Sequence, residues 1–314
     1  MKKRQTNRFN KKAISIIVSI LVILTCVVIV YQKHTGNNVE SVSEEVNVAG
    51  NVEDTNSDDT NSSQDSKLDN SGYLTLEQDP NADDAMEVFA RTEGLLKGTK
   101  QYPVRDDGKK VAYLTFDDGP STTNTPDVLD ILKENDVKAT FFIMGKQLDS
   151  SEEAREILKR EAKEGHAIAN HTYSHDYNYL YPGRTIDATN FWNDVLKCND
   201  RLQNALGKDF STRVVRFPGG YWSWNGREAI RAIFDENKYA IMDWNALSKD
   251  AEGKKKDAAE LVECTKQTVE GLGPNADSVV ILMHDTYGKE ETVKSLQGII
   301  DYLKSEGFEF RTMK

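Results

Sequence analysis

Leu114-Thr115-Phe116-Asp117-Asp118-Gly119-Pro120 carries an apolar run into two adjacent carboxylates and a Gly-Pro turn. Side by side at the mouth of a strand, two acids repel one another, a cost tolerated where a cation or a proton-transfer task compensates. Taken alone, the same residues also describe a solvated acidic turn, because Asp, Gly and Pro are ordinary turn formers. The surrounding chain decides between the two.

From residue 109 onward two patterns alternate. Short β-branched and aromatic runs predict strands at 111–116, 139–144, 167–171, 214–217, 239–243, 278–283 and 308–312. Between them, apolar residues at helical spacing predict helices at 126–135, 152–164, 188–206, 226–237, 256–271 and 292–306. Gly165, Gly207 and Gly307 stand at or just past helix ends, where a C-terminal cap is expected. This βα repeat implies a mainly parallel sheet covered on its faces. A closed or nearly closed barrel and a doubly wound open sheet both satisfy the alternation. The polar residues favour the barrel. Asp117 and Asp118 follow the first predicted strand, His171 and His175 the third, Arg216 the fourth, the stretch from Asp243 to Asp250 the fifth, and His284 with Asp285 the sixth. Residues from that many strand ends converge most easily on the top of a barrel, whereas an open sheet would focus them on one switch point.

His171-Thr172-Tyr173-Ser174-His175 sets two imidazoles four residues apart, close enough to share a metal if the segment coils tightly. No Glu follows His171, so the metalloprotease arrangement is absent, and a third ligand and a base must come from elsewhere. The acid pair can supply both: Asp118 as the third ligand, and Asp117 as general base toward a water. Arg216 can orient Asp117 through a charged hydrogen bond. His284 is placed to be the acid and needs a neighbouring carboxylate to raise its pKa. There is no Gly-x-Ser-x-Gly elbow and no phosphate-binding Gly-rich loop. Cys198 and Cys264 lie in helical patterns and read as small buried hydrophobes, so covalent acyl transfer is the weaker mechanism.

These residues resemble a known family. Thr115-Phe116-Asp117-Asp118-Gly119-Pro120, His171-Thr172-Tyr173-Ser174-His175, Arg216-Phe217-Pro218-Gly219-Gly220 and Leu282-Met283-His284-Asp285 are similar, in order, to the motif series of carbohydrate esterase family 4, the NodB-like polysaccharide deacetylases. The likeness runs from about Val111 to the C-terminus. It implies a distorted (β/α)7 barrel and one divalent metal, usually zinc, with cobalt, nickel and manganese as alternatives. By the resemblance, Asp118, His171 and His175 would be the ligands, Asp117 the base, Arg216 its orienter and His284 the acid. The reaction would be hydrolysis of an N-acetyl amide on a sugar, with the backbone N–H of Gly219 at the oxyanion and Leu282 against the substrate.

The chain departs from the family pattern at two places. Gly219 stands where the third motif often has an aromatic residue, which makes Tyr221, Trp222 or Trp224 candidates to stack on the sugar, with packing in the barrel as their alternative role. After the fifth predicted strand, Ala251 stands in place of the second Trp of a common Asp-Trp pair. Asp250 is then expected to tune His284, with Asp243 as the runner-up.

The N-terminal third has a different character. A basic head precedes residues 13–31, an uncharged run long enough to span a bilayer. The excess of Lys and Arg before it predicts a cytoplasmic N-terminus and an extracellular remainder. The length of the run and the lack of a small-residue cleavage site favour a retained anchor over a cleaved signal peptide. Residues 34–80, rich in Asn, Ser and Asp, are expected to form a disordered acidic linker. Residues 81–108 carry no clear pattern, and 109–314 is expected to be the catalytic domain. With a formal net charge of −11 and an acidic domain, the chain is a poor match for nucleic acid. The implied partners are a cell-wall polysaccharide and, through the anchor, the membrane; nothing in the sequence points to a protein partner. Peptidoglycan N-acetylglucosamine is the first expectation for substrate, then chitin-like or poly-N-acetylglucosamine polymers, then O-acetyl xylan. A wall-glycan-binding domain without catalysis is the reading from a different class.

Overall fold

The computed structural model describes residues 72–96 and 105–314. In chain order its strands are β1 (Ala82–Asp83), β2 (Val111–Asp117), β3 (Thr140–Ile143), β4 (Ala167–Asn170), β5 (Val214–Val215), β6 (Ala240–Ile241), β7 (Ala246–Leu247), β8 (Ser278–His284), β9 (Glu309–Phe310) and β10 (Thr312–Met313). The main sheet has the order β6-β5-β4-β3-β2-β8-β7, and every pair in it is parallel. Its two edge strands, β6 and β7, are consecutive in the chain. Five peptide steps from Ile241 to Ala246 span at most about 18 Å, so the sheet has curled round until its edges nearly meet. The result is a barrel of seven strands that is open between β6 and β7.

Alternation along the long strands sorts their side chains. On β2, Ala112, Leu114 and Phe116 join the cluster beneath the surrounding helices, while Val111 and Tyr113 join the barrel interior. Thr115 and Asp117 continue the inner face upward. On β8, Val279, Ile281 and Met283 face the helices and Val280 faces inward, which gives Leu282 and His284 the inner face as well. Both central strands are apolar on both faces, as a parallel sheet covered on each side requires.

The helices Thr125–Glu134, Glu152–Lys163, Ala188–Leu206, Arg227–Asn237, Ala258–Glu270 and Glu290–Ser305 match the six expected from periodicity. Three of them end at the anticipated glycines, Gly207 capping Ala188–Leu206 with its N–H on the Gln203 carbonyl. Gly165 and Gly307 adopt φ values of 84° and 81°. At each, two backbone N–H groups turn back onto the last turn: Gly165 to Ala162 and His166 to Glu161, Gly307 to Lys304 and Phe308 to Leu303.

Three expectations need correction. The run at 308–312 is not a strand of the barrel wall: β9 pairs with the lower part of β2, and β10 with β1. The seventh wall strand is β7, two residues long and set in a polar stretch too short for periodicity to register. The expected disorder does not hold up to residue 80. Tyr73 is buried against Phe210 with ring centroids 5.0 Å apart, and Asp79 pairs with Lys314 at 2.8 Å. These contacts, with the β1–β10 pairing, order the stretch from residue 72. The patternless region before the barrel contains the helix Ala85–Leu96, whose Ala85, Val88 and Phe89 join the interior cluster with Val111, Tyr113 and Val214 near the starts of their strands. That helix covers the end of the barrel opposite the carboxylates. The expected anchor and most of the expected linker lie outside the described residues; among the described residues no helix is long and apolar enough to cross a membrane.

Candidate active site

Asp117 ends β2 on the inner face. A regular strand would turn Asp118 to the opposite side, but Asp118 takes φ 69°, a left-handed conformation that Asp tolerates better than most residues. The two adjacent carboxylates therefore converge. His171 Nε2 lies 3.4 Å from Asp118 Oδ1 and 3.7 Å from Asp117 Oδ2, and His175 Nε2 lies 3.4 Å from Asp118 Oδ1. The two histidines are brought together by a loop and not by a helix: Thr172 at φ 66° and His175 at φ 53° coil the segment after β4.

One ligand atom each from Asp118, His171 and His175 lies within 4.8 Å of the others. Asp118 Oδ1 is buried and has no hydrogen-bond partner, an arrangement that a bound cation would satisfy. His171 directs Nδ1 at the Arg216 carbonyl, 2.9 Å away. Donation there leaves Nε2 as the lone-pair atom facing Asp118, the outer-shell support typical of a metal-binding histidine. Burial opposes ionisation of Asp118, but the ring of His171 beside it, with His175 and His284, outweighs it and holds its pKa well below the usual carboxylate range. The residues fit a divalent metal with open positions.

Arg216 follows β5 and is wholly buried. Its Nη1 donates to Asp117 Oδ1 at 2.8 Å and to Thr115 Oγ1 at 2.7 Å, while Nε donates to the Met242 carbonyl at 2.8 Å. The guanidinium lies over the Phe142 ring at 3.9 Å, which fixes the plane of the fork.

His284 ends β8. Its Nδ1 is 2.9 Å from Asp250 Oδ1, and its backbone N–H donates to Asp250 Oδ2 at 2.8 Å. Thr292 Oγ1 donates to the same Oδ2 at 2.9 Å, and Lys289 Nζ donates to the Asp250 carbonyl at 2.8 Å. Burial disfavours the charged ring, but the hydrogen bond and charge of Asp250, with Asp117 and Asp118 farther away, prevail and raise His284 to about 9. Asp250, expected as the tuning carboxylate, therefore sits on His284. Asp243 does not: both of its oxygens accept from the Tyr221 N–H, at 3.0 and 3.1 Å, and pin the turn after Gly220.

The residues expected to meet the sugar divide. Leu282 is 8% exposed, two positions before His284 on the same face. Gly219 has φ 75°, and its N–H donates to nothing among the described residues. Tyr221 is buried and packs edge-on against Phe217 and Trp222, so it serves the interior and not a sugar platform. Trp222 is partly buried against the same cluster with Arg227 over its ring at 5.0 Å. Trp224 is buried too, stacked on Tyr181 at 4.0 Å with Nε1 donating to the Pro218 carbonyl. Apolar burial won at Tyr221 and Trp224, where the loop after β5 folds back onto the Phe217 and Tyr181 rings, while Trp222 is only partly covered. Cys198 is buried, which pushes its thiol pKa up, and neither it nor Cys264 forms a disulfide. Residues the sequence reading missed are Thr115, Thr292 and Lys289, ordinary residue types whose roles arise only from the partners the fold gives them.

A curled parallel α/β barrel whose strand ends gather a carboxylate-histidine-histidine cluster, a second carboxylate held by arginine and a carboxylate-backed histidine defines a hydrolase site of the metal-dependent kind. Residues 104–233 match the family described as polysaccharide deacetylase. A peptidoglycan-N-acetylglucosamine deacetylase of Bacillus cereus is 34% identical over 229 residues, 71% of this chain and 77% of the relative. A chitin deacetylase of Colletotrichum lindemuthianum is 34% identical over 199 residues, 62% of this chain and 74% of the relative. Among solved structures, a Streptococcus mutans CE4 esterase superposes with a TM-score of 0.65 at 33% identity, covering 74% of this chain and 92% of that one. The chain belongs to the polysaccharide deacetylase family, carbohydrate esterase family 4. It is a polysaccharide deacetylase, a hydrolase acting on N-acetyl amide bonds, and enzymes of this family are metal-dependent in general.

Proposed function

We propose that this deacetylase removes acetyl groups from N-acetylglucosamine residues of peptidoglycan, tethered outside the cell by residues 13–31, with zinc as its metal. The observation that carries the chemistry is the convergence of Asp118, His171 and His175 within 4.8 Å. The substrate assignment rests on the similarity to peptidoglycan-N-acetylglucosamine deacetylases. The anchor rests on the uncharged run with its basic flank. Two imidazoles and a carboxylate with open positions suit zinc.

Asp118, His171 and His175 would hold the ion, which when bound would polarise the acetyl carbonyl and lower the pKa of a water. Asp117, fixed by Arg216, accepts the proton from the attacking water. The Gly219 N–H supports the developing negative charge on the acetyl oxygen. His284 delivers a proton to the departing amine nitrogen. With a pKa near 9 it enters the reaction protonated at neutral pH, so the products are acetate and a free amino sugar. Leu282, on the same face as His284, gives the acetyl methyl an apolar neighbour.

The test is acetate release by the purified chain from peptidoglycan, chitin oligomers and acetylated xylan, after chelation and after zinc is restored. Zinc-dependent release that is fastest on peptidoglycan supports the proposal. Preference for chitin oligomers or xylan overturns the substrate assignment, and binding of glycans without release under any divalent metal overturns the catalytic roles.

A further inference from the structure

The space beside Gly219 is taken by an aromatic residue from a different loop. A Cβ at position 219 would lie 3.0 Å from Tyr177 Oη and 3.1 Å from Trp224 Cζ2. Tyr177 belongs to the short helix Tyr177–Leu180 that follows the metal-site loop, and it is held among three rings: His175 at 5.3 Å, Trp224 at 5.2 Å and Tyr181 at 5.8 Å between centroids. Despite these contacts it is 44% exposed, and its hydroxyl has no hydrogen-bond partner among the described residues. Asp176 fixes the start of the helix by accepting from the Asn178 and Tyr179 N–H groups. The ring is thus held in place while its polar tip stays open beside Gly219, the combination expected of a residue that meets a hydroxylated ligand at low entropic cost.

We propose that Tyr177 is a substrate-binding residue of this enzyme, its phenol hydrogen-bonding a hydroxyl of the N-acetylated sugar seated at the metal site, and that Gly219 is the residue that leaves room for it. The inference rests on the reading that N-acetylhexosamine glycans are the substrate. It takes the place of Tyr221 and Trp224, whose rings are buried, as the aromatic contact at this subsite.

The experiment compares the wild-type chain with Tyr177→Phe and Tyr177→Ala, measuring KM, kcat, bound zinc and the Kd of N-acetylglucosamine oligomers by calorimetry. Loss of one neutral hydrogen bond should raise KM and Kd about three- to ten-fold in Tyr177→Phe, with kcat little changed and zinc retained. Tyr177→Ala, which also loses the ring, should bind still more weakly. Unchanged KM and Kd in Tyr177→Phe overturns the proposal. So does loss of zinc, which would mean the effect runs through His175, and so does a fall in kcat at constant KM, which would put the hydroxyl at the reaction centre. If the wild-type chain binds oligomers but releases no acetate, the deacetylation reading fails while the Kd comparison still decides on Tyr177. If it binds no oligomer, both fall.

Discussion

Arg216 Nη1 donates to Asp117 Oδ1 at 2.8 Å from a position with no solvent exposure, and Asp117 itself is 2% exposed. A charged pair this deeply buried is costly to separate, because the survivor is left without water or partner. Arg216→Met is therefore expected to destabilise the protein by about 3 to 5 kcal/mol. Urea unfolding of the metal-loaded protein measures it; a change below 1 kcal/mol would mean that Asp117 finds another partner.

Asp117→Asn keeps an oxygen for Arg216 and removes the proposed base. Acetate release should fall about 10²- to 10⁴-fold, while zinc content and melting temperature stay near wild type. Retained activity would remove Asp117 from the role of base.

The pairing of His284 with Asp250 predicts a shift in the pH profile. His284 must carry its proton to act as acid, so with its pKa near 9 the rate should decline as pH rises through about 9. In Asp250→Asn the hydrogen-bonded charge is gone and burial of the ring is opposed only by the more distant Asp117 and Asp118, so the alkaline limb should move down toward the ordinary value of 6.5. The same sign holds for stability. The raised group contributes fully below the ordinary value and loses its contribution through about pH 9. An alkaline limb that does not move in Asp250→Asn would separate His284 from this titration.

Asp285 carries a different charge cost. Burial, with the nearby Asp118 and Asp117, pushes it up to about 7 against the Thr125 hydrogen bond, and its Oδ1 is buried without a partner. A carboxyl raised in this way stabilises the fold most below its ordinary value of 3.8 and loses that contribution as pH rises through about 7. Asp285→Asn should therefore gain stability relative to wild type between pH 5 and pH 8 in paired urea titrations. A constant difference across that range would count against the reading.

Gly119 is needed for close approach. A Cβ there would meet both Asp285 carboxylate oxygens at 2.5 Å, nearer than real Cβ contacts come. Gly119→Ala must displace either the Asp118 turn or Asp285, so both zinc affinity and melting temperature should drop. Isothermal titration with zinc and a thermal melt check the two effects, and wild-type values for both would show that the turn yields freely.

The sequence by itself carried the alternation of strand and helix, and with it a mainly parallel sheet, because period-two and period-3.6 apolar patterns are local and the longer strands and helices display them. It also placed the proposed site residues Asp117, Asp118, His171, His175, Arg216, Asp250 and His284 at or beyond strand ends, where loops of a parallel barrel gather. What only the tertiary structure decided are the features set by partners distant in the chain. β7 is two residues long and has no period to read. The stretch from residue 72 reads as linker by composition, yet it is ordered by Phe210, Lys314 and β10. The choice of Asp250 over Asp243 depended on where the loop after β7 closes. The turn of Asp118 to φ 69° is a backbone departure that no residue pattern announces. The aromatic beside Gly219 comes from the loop after β4, while Tyr221 and Trp224 are drawn into packing, where burying a large ring removes more apolar surface from water than holding it at the groove.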